Sequence, residues 1–123
     1  MLHLYNVLSE HRTRIVSLLL KQIPREVKAY KRITQGEILQ SIDHLYDAYL
    51  ELLASGSDER LRHNFTFIAR MRVPQGFPLS AILRAFFLFN SAARQVIQEN
   101  YLLQENNFSQ FNEAMSKLES TTF

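Results

Sequence analysis

Apolar residues recur every three to four positions in every long segment of this chain, and nowhere do they alternate over the length of a strand. That period is the strongest constraint on the fold. A repeat near 3.6 puts the residues on one side of a helix, whereas a half-buried strand needs a repeat of two. The clearest stripe is Ile38, Ile42, Leu45, Tyr46, Tyr49, Leu52 and Leu53, which predicts a helix beginning just after Thr34. Leu4, Leu8, His11, Ile15, Leu18 and Leu19 predict an earlier helix, from Leu4 to Gln22, with Pro24 as its stop. Leu61, Phe65 and Ile68 predict one over Glu59 to Val73. Leu79, Ile82, Leu83, Phe86, Phe89, Ala93, Val96 and Ile97 predict a long helix reaching Gln104, and Phe108, Phe111, Met115 and Leu118 a last one. "REVKAYKRI" suits a short helical turn. The expected architecture is all-α: a single-domain bundle of about five main helices over residues 1–123, with globin-like packing as the variant form.

The breaks between stripes carry turn chemistry. "TQGE" reads as a capping box, in which Thr34 accepts from the amide of Glu37 and Glu37 reaches back. In "SGSD", Gly56 suits a left-handed helix end, and Ser57 or Asp58 can open the next helix. "RMRVPQGFPLS" reads as a helix corner. Arg70 and Arg72 complement the negative end of one helix, and Val73 before Pro74 is expected to leave it. Gly76 reverses the chain with a positive φ, and Pro78 suits the first turn of the next helix.

Charge is unevenly placed. Residues 1–34 sum to +5, residues 35–59 to −6, residues 60–94 to +6 and residues 95–123 to −3. Alternating signs suit neighbouring helices that pair along their edges, so Arg70, Arg72 and Arg84 are expected to hold structure. A nucleic-acid footprint would leave its basic segments unopposed. The would-be recognition helix "LSAILRAFFLF" is too apolar for a groove. No nucleic-acid partner is expected, and no apolar run approaches the ~18 residues of a membrane span.

Catalytic chemistry finds no set to stand on. There is no cysteine, and His3, His11, His44 and His63 form no HxxxH or HxxH pair. Asp43, Asp47 and Glu51 share a helix side that reads as solvated. The glycines are isolated, so no phosphate loop exists. Neither a metal nor a cofactor is expected. His11 interrupts an apolar stripe, and a ligand pocket formed by His11, Ile15, Phe86 and Phe89 is the one cavity the pattern suggests.

The corner also carries a resemblance. "FIARMRVPQGFPLSAILRAF" resembles the R-x-R-x-x-x-G-[VIF]-P-L-x-x-[VIL]-L-R-A-[FY] segment of the RsbRD-type N-terminal domains, through Arg70, Arg72, Gly76, Pro78, Leu79, Leu83, Arg84 and Ala85. His11 with Ile15, then Tyr30, then Glu37 fit the same layout. These domains are small all-helical modules of RsbT co-antagonist (stressosome) proteins, and related copies look like input domains of sensor kinases and helix-turn-helix regulators. The resemblance implies a regulatory input domain with an effector downstream in the same chain. It implies no catalytic residues. The missing catalytic set and the lack of a leader pattern or apolar span make a non-enzymatic, cytoplasmic protein the expectation. A stand-alone helical adaptor is the alternative.

Two further patterns bear on partners. Ala81, Ala85, Leu88 and Ala92 form a second stripe on the long helix, which predicts an exposed strip and a homodimer packed through it. Ile97, Tyr101, Gln104, Phe108, Phe111, Met115, Leu118 and Thr122 step by fours and threes, a heptad-like seam that would extend the contact and run into the effector.

Overall fold

A computed structural model describes residues 2–101, with side chains from 4 to 99. The last predicted stripe and most of the heptad-like seam lie outside these residues. Among the described residues the chain is all-α, with five helices and no strand: α1 (Leu2–Glu10), α2 (Arg12–Glu26), α3 (Gln35–Ser55), α4 (Glu59–Arg72) and α5 (Leu79–Tyr101). Short 3₁₀ turns at Lys28–Arg32 and Val73–Gln75 link them.

The predicted first helix is two helices. His11, at φ −99° and ψ 15°, separates α1 from α2. Its amide still donates to the Val7 carbonyl, so the break is a bend and not a loop. The Tyr46 hydroxyl donates to the Leu8 carbonyl at 2.5 Å, just where the helical ladder is interrupted. Pro24 does not stop α2, which runs on to Glu26. A proline so near a helix end forfeits a single hydrogen bond, and the Val27 amide closes the turn on the Ile23 carbonyl at 2.8 Å.

α3 forms where its stripe places it, and every residue of that stripe is buried. The Glu37 amide donates to the Thr34 hydroxyl at 3.2 Å. The Glu37 carboxylate turns instead toward Arg72. Gly56 ends α3 in the left-handed region at φ 76°.

α3 packs on α4, and α2 on α5, and side-chain contacts run α2 and α5 antiparallel. Arg84 near the start of α5 meets Glu26 at the end of α2, and Arg14 near the start of α2 meets Glu99 near the end of α5. The α4–α5 hairpin stacks Phe65 edge-on against Phe86, centroids 5.3 Å apart. Phe89 sits at the centre, edge-on to both Tyr46 and Tyr49 at about 5.5 Å. The charge alternation reappears as ion pairs between helices. Arg12 donates to Asp47 at 2.6 Å and to the Asp43 side chain at 3.3 Å, with its guanidinium 4.7 Å from the centre of the Tyr46 ring. Asp43 and Asp47 therefore face α2, in place of the fully solvated side expected of them.

Candidate functional site

The corner between α4 and α5 is built on one buried cation. The α4 stripe Leu61, Phe65, Ile68 continues four residues on to Arg72, whose position therefore faces the core. Its side chain is 1% exposed, and Arg70, two residues earlier, is exposed. Burying a guanidinium costs several kcal/mol unless its donors are satisfied. Here Nη1 donates to Gln75 Oε1 at 3.2 Å and Nη2 to Ser41 Oγ at 3.3 Å. Glu37 Oε2 lies 3.8 Å from Nη1, close enough for charge attraction but too far for a hydrogen bond. Nε is buried with no partner among the described residues. The rings of Tyr30 and Phe77 lie 5.8 and 5.7 Å from the guanidinium carbon.

The turn that follows locks this arrangement. Val73 stays in the right-handed helical region, at φ −58° and ψ −46°, and does not leave the helix as its place before Pro74 predicts. The preference against helical geometry before proline is overridden by continuation into a 3₁₀ turn. The reversal falls on Gly76, at φ 92°. The Gly76 amide donates to the Val73 carbonyl at 3.0 Å and the Phe77 amide to the Arg72 carbonyl at 3.2 Å. That pair of bonds is a Schellman closure, which needs a left-handed residue at the position Gly76 holds. Phe77 is thereby folded inward, edge-on to Tyr30 at 4.9 Å and within 6 Å of the guanidinium groups of both Arg72 and Arg32. Pro78 immediately precedes α5, and its carbonyl accepts from the Ala81 amide at 3.0 Å. Burial pushes the Tyr30 hydroxyl pKa up, against the opposing positive charge of Arg72.

Beside the corner, between α3 and α4, lies a groove of about 380 Å³. Arg72, Gln75, Ser41 and Glu37 line one end of it, and Met71, Phe67 and His44 line the rest. Phe67 is 59% exposed. Beyond Phe67 the surface continues past His63 and Arg60.

The other sequence-predicted sites fall elsewhere. Phe86 and Phe89 border a small void of about 30 Å³ with Ile23, Tyr30, Ile42 and Ala85, which neither His11 nor Ile15 lines. A void of that size suits a water molecule and not a haem or a fatty acid. Ile15 is wholly buried in the core and His11 sits half-buried at the α1–α2 bend. The strip Ala81, Ala85, Leu88 and Ala92 is not exposed: all of it is buried within the chain, at 8% exposure or less. α5 is covered by α1, α2 and α4, so its buried arc is wider than a single stripe. Leu79, expected inward, is half exposed at the start of α5. Nothing in the sequence marks Arg12, or Ser41 and Gln75 as the acceptors of Arg72. Four-residue continuation of the α4 stripe was the signal for Arg72, but nothing local points to its partners.

The fold and its corner define a small all-helical module whose most elaborate feature is a structural arginine. A family model described as the RsbT co-antagonist protein rsbRD N-terminal domain matches residues 12–116. The chain belongs to that family, which points to a stressosome-type regulatory input domain. Neither a curated protein nor a solved structure matches it. Among the described residues no helix is long and apolar enough to cross a membrane.

Proposed function

We propose that the chain is a non-enzymatic sensory or regulatory input domain of a bacterial signalling protein, coupled through α5 to an effector in the same polypeptide. The observation that carries this reading is the way α5 is held. The corner around Arg72 feeds through Phe77 and Pro78 directly into α5. Two ion pairs, Arg84–Glu26 and Arg14–Glu99, then bracket α5 along α2. All four side chains are at least one-third exposed, so each pair contributes less than ~1 kcal/mol. Contacts of that size hold a register without freezing it, and an event at the corner can bias the position of α5 by a few-fold in population.

The test is a charge reversal in an in-frame fusion of residues 1–123 to a kinase or anti-sigma-type effector. Glu26→Arg is expected to change effector output, and the double variant Glu26→Arg with Arg84→Glu to restore it. Output that ignores the single reversal while the helices stay folded would remove the α5 coupling.

A further inference from the structure

We infer that the groove between α3 and α4 is a binding site for a small amphipathic carboxylate, with the acid group received at the Arg72 end. The inference goes beyond the signalling role and stands without it, because it concerns binding alone. Its first support is the incomplete pairing of Arg72. A guanidinium offers five N–H donors and matches a carboxylate in a two-point fork. Arg72 donates to the neutral acceptors Gln75 and Ser41, with the Tyr30 hydroxyl a further neutral neighbour, and Nε has no partner among the described residues. The anion beside this 1% exposed cation, the Glu37 carboxylate, is itself 55% exposed and stands beyond hydrogen-bond distance.

The second support is placement. The three groups around the terminal nitrogens, Glu37, Ser41 and Gln75, all line the groove, so the head of the arginine lies against its wall. Glu37 is the acid at this end, 55% exposed and beyond hydrogen-bond distance from Nη1. It occupies the position a ligand carboxylate would take, and its exposure leaves it room to swing aside. The third support is the rest of the lining. Phe67, Ile68 and Met71 give an apolar wall on α4, and His44 and Gln40 give polar groups on α3. A volume of about 380 Å³ falls in the range of small-molecule sites.

Charge decides between acid classes. One buried cation faces one exposed carboxylate. A singly charged acid that displaces Glu37 leaves the local balance unchanged, whereas a doubly charged phosphate adds an anion beside Glu37. The body of the ligand would lie along Phe67 and Met71 and present no charge to them.

Hexanoate is the probe, with 1-hexanol as the uncharged control and hexyl phosphate as the competing anion. Binding is read by amide and arginine side-chain NMR shifts at roughly 10 mM, tenfold above a millimolar Kd. The expected result is that hexanoate moves the Arg72 Nε–H resonance and the amides of Ser41 and Gln75, and that hexanol does not. Glu37→Gln, at an exposed side chain, is expected to tighten hexanoate by roughly two- to fivefold by removing the competing acid. His44→Glu is expected to weaken it by a similar factor. Tighter binding of hexyl phosphate than of hexanoate would overturn the assignment to carboxylates. Equal binding of hexanol, an unchanged affinity in Glu37→Gln, or no shift at the groove would overturn the site itself.

Discussion

Replacing Arg72 separates what its charge contributes from what its bulk contributes. In the folded chain the guanidinium donates to Gln75 and Ser41. Hydrogen bonds from a charged donor contribute ~1.5–3 kcal/mol each. Against that stands the desolvation of the cation, also several kcal/mol. Glu37 offsets little, because its side chain is 55% exposed and water screens it. The two large quantities nearly cancel. Arg72→Met removes both and keeps most of the volume between Tyr30 and Phe77, so it is expected to cost within ~1 kcal/mol. Arg72→Ala removes both and also leaves a cavity beside those rings, which adds ~2–4 kcal/mol. Glu37→Gln should cost under ~1 kcal/mol. Urea denaturation followed by far-UV circular dichroism measures all three, as shifts of the midpoint at unchanged slope. If Arg72→Met is as damaging as Arg72→Ala, the charge holds the corner and the cancellation argument is wrong. If Arg72→Ala costs under ~1 kcal/mol, the corner is not packed as described.

Three further outcomes follow from the same geometry. Ala85→Arg places a guanidinium beside a void of about 30 Å³ and should destabilise the chain by ~3 kcal/mol or more, seen as lost helicity on heating; a variant that melts normally but has a lower mass in sedimentation equilibrium would return the alanine strip to an interface. Gly76→Ala should cost ~1 kcal/mol through its φ of 92° alone, since an added Cβ meets nothing closer than Arg32 at 3.8 Å. Gly36→Ala, in open space within the first turn of α3, should gain ~0.5–1 kcal/mol, and denaturant midpoints of the two in opposite directions are the check. Burial raises the pKa of both Tyr30 and Tyr46 above the ordinary 10.0, so the unfolded chain ionises first. Stability should be full below about pH 10 and fall above it by up to ~1.4 kcal/mol per pH unit for each tyrosine. Tyr46→Phe should flatten that fall, and an alkaline titration of the urea midpoint with the wild-type slope would contradict it.

Sequence alone carried the local events. A period of 3.6 marks one side of a helix whatever packs on it, so α3 and its buried stripe were legible, as were the positive φ of Gly56 and Gly76 and the Thr34 cap. These depend on neighbours within a turn or two of chain. Arg72 reads in sequence as a helix-end cation, although the Leu61, Phe65, Ile68 stripe carried one more step falls on it and it is buried. What lay beyond reach was every property set by how many neighbours an element has. α5 shows two apolar stripes in sequence, and only its enclosure by α1, α2 and α4 makes Ala81, Ala85, Leu88 and Ala92 core instead of surface. The bend at His11 has no proline or glycine to announce it; at that bend the Tyr46 hydroxyl reaches the Leu8 carbonyl from 38 residues away. Ser41 and Glu37 meet Arg72 across a similar separation, over 30 residues in each case. Periodicity reports which residues share a face, but the partner that covers the face is chosen by packing between distant segments, and only the folded chain brings those together.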